Sequence, residues 1–151
     1  MSFAYSHTFT LPATPDRVFR ALVQPDELTK WFAEGALVEP RVGGVYRFWG
    51  RHTPGTPPED AARQTITRFE PGGLLGYSWP IDEVESDVTM ALALHEMGTT
   101  LTITHRVYGD LNVPRQPELI EDHWRVAINN LSAHLAGTPA VTMPDYFARR
   151  D

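Results

Sequence analysis

The sequence predicts an α+β domain in which an antiparallel sheet packs against helices that precede and follow its strands. Two observations support this class. Six consecutive strand candidates, separated by turn residues, fill the middle of the chain, and residues 117–136 carry apolar side chains at helical spacing. Strands that follow one another without intervening helices pair antiparallel, and helices gathered at either end of the strand run are typical of α+β domains.

The chain begins with a strand and two short helices. Residues 5–11 alternate apolar and polar side chains, which is the period of a strand with one buried face. In the stretch that follows, ATPDRVFRALVQPDELTKWF, Thr14 can cap a helix whose first turn holds Pro15. Pro25 then starts a second helix. Each helix has one apolar stripe, formed by Val18, Phe19 and Leu22 in the first and by Leu28, Trp31 and Phe32 in the second.

The six strand candidates are residues 36–39, 45–50, 63–70, 74–79, 86–95 and 99–108. The segments between them are rich in Gly, Pro and Asp, as turns are. The last two candidates carry their apolar residues on even and on odd numbers, respectively. A tight hairpin that pairs Leu94 with Leu101 therefore places both apolar sets on one face of the sheet.

The stretch GGVYRFWG, residues 43–50, combines a glycine turn with a strand. Gly43 and Gly44 permit a tight turn with positive φ at the start of the strand. Tyr46 and Phe48 share one strand face and are predicted to point inward. Arg47 has the opposite parity, so we expect it to be solvated.

A long amphipathic helix is predicted over residues 117–136. Its apolar face is formed by Ile120, Trp124, Ala127, Ile128, Leu131 and Leu135. Gly137 and Pro139 end it. We therefore predict one domain over residues 1–137, followed by a short extension over residues 138–151.

Composition narrows the functional classes. With 151 residues, of which 42% are hydrophobic, the chain suits one domain with a sizeable core. The net charge of −6 and the scattered basic residues argue against a nucleic-acid or anionic-membrane surface. There is no cysteine, which excludes disulfides and thiolate chemistry. The beginning of the chain lacks the features of a signal peptide and no apolar run is long enough to span a membrane, so we expect a cytoplasmic protein.

No motif for a metal or cofactor is present. The six histidines lack the spacing of a helix-borne metal site, and His123 and His134 lie three helical turns apart. Serine-hydrolase, P-loop and dinucleotide-binding signatures are absent as well. The acidic run over residues 82–87 is interpreted as a solvated turn. We expect neither a metal nor a cofactor.

Several motifs in order resemble one family. PDELTKWF, RVGGVYRF, RFEPGGLLGYSW, GTTLTITH and HWRVAINNLSAHL are similar to segments of the START-like (SRPBCC) superfamily, and within it of the AHSA-type family, named after the activator of the heat-shock protein 90 ATPase. The resemblance spans roughly residues 5–137. It implies a helix-grip fold, in which a curved seven-stranded antiparallel sheet wraps the long C-terminal helix around an elongated apolar cavity. The loop over residues 51–62 is longer than is usual in the family, and the sequence does not predict its conformation.

The implied cavity gives a set of candidate ligand-binding residues. They share the inward parity of strands or of the terminal helix, and they are Tyr46, Phe48, Tyr77, Trp79, Met90, Leu92, Ile103, His105, Trp124 and His7. Trp79 is expected to pack on the terminal helix, with Trp124 as its counterpart. Simple core packing is the alternative interpretation for each of these residues.

His7 and His105 form a special case. In the implied fold the first and last strands are antiparallel neighbours, and pairing Leu11 near Leu101 brings His7 opposite His105. Two imidazoles would then meet at one end of the cavity, either as a working pair or as two satisfied core histidines.

Three functional classes stay open. The first, which we favour, is a non-catalytic carrier or sensor of a small apolar or aromatic molecule. The second is an enzyme that uses the cavity for acid/base chemistry, such as a cyclase or hydrolase. The third is a co-chaperone or stress-response partner, as the family name implies.

A homodimer is a further prediction. The outer face of the last two strands has small residues with little charge, namely Thr89, Ala91, Ala93, Thr100, Thr102 and Thr104. Such a face suits a partner, although threonine-rich outer faces are also ordinary in β structure.

Overall fold

The computed structural model describes residues 3–111 and 115–137. Within these ranges the elements follow the predicted order. They are β1 (Phe3–Leu11), α1 (Pro15–Val23), α2 (Pro25–Trp31), β2 (Gly35–Val38), β3 (Tyr46–Trp49), β4 (Thr65–Glu70), β5 (Leu74–Ser78), β6 (Ser86–His95), β7 (Gly98–Val107) and α3 (Gln116–Leu135). The extension predicted over residues 138–151 and the stop at Pro139 lie outside the described residues.

The strands form two sheets instead of the single seven-stranded sheet that the resemblance implied. Five strands pair antiparallel in the order β1-β7-β6-β5-β4, and β2 pairs only with β3. The two sheets meet at a short bridge between Val45 and Thr65. Beyond the bridge, the side-chain amide of Gln64 bonds the backbone of β3 as a neighbouring strand would. Its Oε1 accepts from the N–H of Phe48, and its Nε2 donates to the C=O of Phe48. The long loop after β3 leads the chain away, which keeps the pairing of β3 with β4 short.

The register of the β6–β7 hairpin differs from the predicted one by two residues. Leu92 pairs with Leu101, and Leu94 pairs with Thr99. The strands continue to His95 and Gly98 and leave a two-residue turn, for which Gly98 adopts a φ of 136°. Because the shift is even, the inward face is the predicted one, but Leu94 lies at the hairpin tip and is 80% exposed.

The register of β1 against β7 is also shifted by two residues. Leu11 pairs with Thr99 and not with Leu101, because the hydroxyl of Thr99 donates to the carbonyl of Ala13 at 2.6 Å and holds the two strand ends together. As a result Tyr5, not His7, lies opposite His105, and His7 lies opposite Ile103. The predicted pairing of His7 with His105 is therefore wrong.

The helices close one side of the structure. Thr14 caps α1 by accepting from the N–H of Arg17 at 3.3 Å, as predicted. Glu27 of α2 accepts hydrogen bonds from Arg17 at 2.7 Å, Arg20 at 3.1 Å and His134 at 2.9 Å, which ties α1, α2 and the end of α3 together. The buried core lies between these helices and the inward faces of the two sheets. Among the described helices, none is long and apolar enough to cross a membrane.

Candidate functional site

The interior contains a connected group of rings that we call the aromatic cluster. It consists of Phe32, Tyr46, Phe48, Tyr77, Trp79, His105, His123 and Trp124, each no more than 1% exposed. Phe48 lies at its centre, with ring centroids 4.7 Å from Phe32, 5.2 Å from Trp79 and 5.9 Å from Tyr77. The cluster therefore joins the end of α2, both sheets and α3 in one apolar interior.

Strand parity and helical spacing explain most of this cluster. Tyr46 and Phe48 project from one face of β3, as predicted, after a turn in which Gly43 has a φ of 84°. Trp79 packs on the terminal helix through His123, with ring centroids 5.0 Å apart. Of the other predicted residues, Met90 and Ile103 are buried and Leu92 is partly buried against the core. Their inward orientation is confirmed, while ligand binding by them stays a prediction.

His7 lies apart from the cluster. It is exposed in an open groove between β1 and α3, which is lined also by Phe3, Tyr5, Phe9, Pro117, Glu121 and Arg125. Its ring packs against Phe9 with centroids 4.7 Å apart. His7 lies on the predicted face of β1. Because β1 is an edge strand of the sheet, this face borders the groove at His7 instead of the core.

Every hydrogen-bonding position of His105 is occupied within the protein. The indole N–H of Trp124 donates to Nδ1 of His105 at 3.0 Å. Nε2 of His105 lies 3.0 Å from Oγ of Ser86, whose hydroxyl donates to the carbonyl of Trp79 at 2.5 Å. Because an indole N–H can only donate, Nδ1 must carry the lone pair and Nε2 the proton. His105 thus completes a closed chain of hydrogen bonds.

This arrangement holds His105 neutral. Burial, together with the neighbouring His123, lowers the pKa of His105 to about 3. A second proton on Nδ1 would also face the N–H of Trp124. His105 and Trp124 are both predicted to contact a ligand, but the polar atoms of their side chains already have hydrogen-bond partners within the core.

His123, which is not among the predicted ligand-binding residues, has only one of its two ring nitrogens bonded. Its Nδ1 donates to the backbone carbonyl of Pro54, while its Nε2 is buried and has no hydrogen-bond partner in the protein. Burial lowers the pKa of His123 to about 4, and the bond to Pro54 opposes this only in part. The sequence signal for its burial is its spacing: His123 follows Ile120 by three positions and so shares the buried face of the helix.

The two buried tyrosines differ in the same way. The hydroxyl of Tyr46 donates to the carbonyl of Leu22 at 2.6 Å, whereas the hydroxyl of Tyr77 has no partner in the protein. Their rings lie 4.6 Å apart. Burial, with a contribution from Tyr46, raises the pKa of Tyr77 well above its ordinary value, so Tyr77 is a neutral hydroxyl at any physiological pH.

The segment over residues 50–58, which we call the loop, covers the cluster beside α3. The N–H of Gly50 donates to the carbonyl of Pro57 at 2.9 Å, and Gly50 and Gly55 both have a φ of 87°. His52 donates from Nε2 to the carbonyl of Thr29 at 2.9 Å. The bond from His123 to Pro54 joins the loop to α3. The loop is thus a folded wall of the interior, held by hydrogen bonds to α2 and α3.

Unpartnered polar atoms concentrate at this wall. Among the described residues, the buried side-chain atoms without a partner are Nδ1 of His52, Oγ1 of Thr53, Oη of Tyr77 and Nε2 of His123. Three of the four belong to the loop or to the side chain bonded to it. Native interiors pair nearly all of their buried polar groups, so this concentration marks a candidate site.

Arg47 has a structural role that its strand parity did not predict. Its guanidinium donates to the carbonyls of Glu59 at 3.1 Å and Ala62 at 3.2 Å, and it lies 5.2 Å from the ring of Trp49. It therefore secures the segment that follows the loop instead of being free in solvent. Within residues 3–111 and 115–137, no three His, Asp or Glu side chains are placed to hold a metal ion.

These features define a class of protein: a helix-grip domain whose sheets and terminal helix enclose an aromatic interior. The profile of the family described as "Activator of Hsp90 ATPase homolog 1-like protein" matches residues 12–136. The chain belongs to this family, as the sequence motifs indicated. It matches no curated protein significantly.

Solved structures share the fold. The AHSA1-like protein RHE_CH02687 from Rhizobium etli is 27% identical, with a TM-score of 0.69 over 100% of this chain and 91% of that one. Protein MLL2253 from Mesorhizobium loti is 19% identical, with a TM-score of 0.74 over 89% of this chain and 97% of that one. DynU16, a protein in the dynemicin biosynthetic locus, is 19% identical, with a TM-score of 0.75 over 93% of this chain and 49% of that one.

Proposed function

We propose that the protein binds a small, largely aromatic molecule in its interior and acts as a non-catalytic carrier or sensor. The observation that carries the proposal is the pair of unpartnered polar atoms, Oη of Tyr77 and Nε2 of His123, on one buried aromatic cluster. The rings supply apolar contact area, and the two polar atoms supply the few directional contacts that ligand sites typically have.

The free energy of unfolding gives the physical reason. A buried polar group without a partner costs about 1–3 kcal/mol, because its hydrogen bond to water is lost on folding and not replaced. Both Tyr77 and His123 carry such a group within a cluster in which the side-chain polar atoms of Tyr46, His105 and Trp124 are bonded internally. A ligand that satisfies these two atoms would recover part of this cost on binding.

Access to the interior is expected through the loop. The cluster is closed on its strand side by two sheets, whereas residues 50–58 have no helix or strand of their own. Opening the loop breaks the bonds of His52 to Thr29 and of His123 to Pro54. A ligand would therefore enter where three of the four unpartnered atoms lie.

An acid/base enzyme is the alternative, and its chemistry would have to come from His123 and Tyr77. A general base works best when its pKa lies near the operating pH. The pKa of His123 is lowered to about 4, which makes its Nε2 a weak base but leaves it a good hydrogen-bond acceptor. His105 has no free position for catalysis. Binding is therefore the better-supported function.

The similarity to DynU16, a protein in the dynemicin biosynthetic locus, agrees with a role toward small molecules. At 19% identity that likeness carries the fold alone, so the proposal depends on the aromatic cluster. A co-chaperone or stress-response role depends on the family name alone, and we rank it third. A cytoplasmic location remains part of the proposal.

The homodimer also stays a prediction. On the outer face of the sheet, Thr8 and Thr102 share a hydrogen bond of 2.8 Å, and Ser6 and Thr104 one of 3.3 Å. These contacts satisfy hydroxyls within one chain and favour an ordinary exposed face. Sedimentation that shows only monomer at micromolar concentration would contradict the dimer.

The function is tested by calorimetric titration with naphthalene and its simple derivatives, which match the size of one or two rings of the cluster. We expect saturable binding and a rise in melting temperature with ligand concentration. Tyr77→Phe should weaken binding of a derivative that carries a hydrogen-bond acceptor, whereas the control Leu37→Ala, at a residue 48% exposed on β2, should not. Absence of binding by every aromatic probe would refute the proposal.

A further inference from the structure

The two imidazoles near the loop determine which kind of polar group a ligand must carry. We infer that the ligand presents a neutral hydroxyl group to Nε2 of His123, so that a hydroxylated aromatic molecule binds in preference to a carboxylate. This inference rests on the proposed interior binding and specifies its ligand class.

The tautomer of His123 follows from its hydrogen bond to Pro54. A carbonyl oxygen only accepts, so Nδ1 of His123 must carry the proton. In the neutral ring, Nε2 then carries only a lone pair, and it is this atom that is buried without a partner. The site therefore provides a hydrogen-bond acceptor, and a ligand that pairs with it must carry a hydrogen-bond donor.

The surroundings of His123 favour a neutral donor over an anion. The rings packed against it are those of Phe32, Trp79 and Trp124, with centroids 5.9, 5.0 and 4.6 Å away. The other imidazole of the cluster, His105, is held neutral by its own hydrogen bonds. A carboxylate placed at Nε2 would thus meet no cation within this set and would lose its hydration in an apolar surrounding.

His52 and Thr53 of the loop each add one buried polar atom without a partner. Nε2 of His52 donates to the carbonyl of Thr29, so its neutral ring also presents a lone pair on the buried Nδ1. The hydroxyl of Thr53 is buried and unpartnered beside it in sequence. The loop and α3 together therefore carry two imidazole acceptors and one hydroxyl without a partner, which agrees with a ligand that has a hydroxyl group.

Four probes with the same two-ring skeleton test the inference: naphthol, methoxynaphthalene, naphthoate and unsubstituted naphthalene. Their affinities for the intact protein are measured by calorimetric titration near neutral pH. Naphthol should bind about tenfold more tightly than methoxynaphthalene, since one net hydrogen bond of about 1.4 kcal/mol corresponds to a factor of ten. Naphthoate should bind less tightly than naphthol by at least the same factor.

A matched variant locates the effect. In His123→Asn the side-chain amide can still donate to the Pro54 carbonyl, but no acceptor is left at the position of Nε2. The preference for naphthol over methoxynaphthalene should fall to about twofold or less, since the acceptor that favours the hydroxyl is gone. The control His7→Asn changes an exposed histidine in the separate groove and should keep the full preference.

The outcomes separate the inference from the proposed function. Equal affinity for all four probes would overturn the hydroxyl preference and leave interior binding intact. Tighter binding of naphthoate would overturn it in favour of an anionic ligand. If no probe binds, the proposed function fails, and the inference fails with it. Should His123→Asn not fold, the comparison of the four probes on the wild-type protein still decides.

Discussion

His105 and His123 are two buried imidazoles of one aromatic cluster, and they differ in how their nitrogens are used. At the sheet end, both nitrogens of His105 are bonded, to Trp124 and to Ser86. At the loop end, His123 uses Nδ1 for Pro54 and leaves Nε2 without a partner. The first arrangement leaves no buried polar atom of the ring unpaired, which favours stability. The second leaves one ring nitrogen unpaired beside the loop, a segment without helix or strand.

This difference shows how one apolar interior can both stabilise the fold and, as we propose, bind a ligand. Tyr46 and Tyr77 repeat it, because the hydroxyl of Tyr46 is bonded to Leu22 and that of Tyr77 is not. Residues with saturated polar atoms hold the sheets and helices together. Residues with an unpaired polar atom, which lie on the same cluster, are the ones that we propose contact a ligand.

The largest effect is expected from His105→Ala. It leaves a cavity and also leaves the buried N–H of Trp124 without an acceptor. We expect the free energy of unfolding to fall by about 5 kcal/mol, from the cavity and the lost hydrogen bond together. Denaturant unfolding measures this value. His123→Asn, which retains the donor to Pro54, should lose less than half as much, and equal losses would contradict the difference between the two sites.

Acidification tests the neutral state of both imidazoles. Their pKa values are about 3 and about 4 in the folded protein, below the ordinary value of 6.5, so the unfolded chain binds protons first as the pH falls. The contribution of the two neutral imidazoles to the free energy of unfolding is therefore fully present above about pH 6.5 and decreases as the pH falls below it. At about pH 5 the expected loss is roughly 2 kcal/mol for each histidine.

The same experiment on a variant sharpens the comparison. In His105→Ala, the contribution of one histidine is removed, so the loss between about pH 7 and pH 5 should be smaller than in the wild type by roughly 2 kcal/mol. A pH dependence of the free energy of unfolding that is the same in both proteins would show that His105 is not buried in its neutral form.

The smallest effects are expected at the tyrosines. Tyr46→Phe removes a donor to the Leu22 carbonyl and should lower the free energy of unfolding by about 1–1.5 kcal/mol. Tyr77→Phe removes a hydroxyl without a partner and should leave stability unchanged or raise it by up to about 1 kcal/mol. Thermal unfolding of the two variants side by side checks this order, and the reverse order would contradict it.

Local patterns predicted the elements and their faces. The alternation in β6 and β7 placed Met90 and Ile103 inward correctly, since the side-chain period of a strand is independent of its partner. Register could not be predicted in this way. It was decided by the two-residue turn before Gly98 and by the contact of Thr99 with Ala13, which the pattern of apolar residues does not contain.

The candidate site was predicted only in part. The rings of Tyr46, Phe48 and Tyr77 followed from parity, whereas the importance of His123 depends on a hydrogen bond to Pro54, 69 residues away along the chain. The loop that supplies Pro54 has no periodic pattern, so its burial against α3 was not predictable from local sequence. The distinction between a saturated and an unsaturated imidazole exists only in three dimensions.

Nitrogen-15 NMR of the imidazole rings near neutral pH tests the central claim most directly, because the shifts and couplings of the two ring nitrogens identify the protonated one. The structure predicts two neutral histidines of opposite tautomer: His105 with its proton on Nε2 and His123 with its proton on Nδ1. Addition of naphthol should then shift Nε2 of His123 and leave both nitrogens of His105 unchanged. The same tautomer in both rings, or a His123 ring that is protonated at neutral pH, would contradict the account.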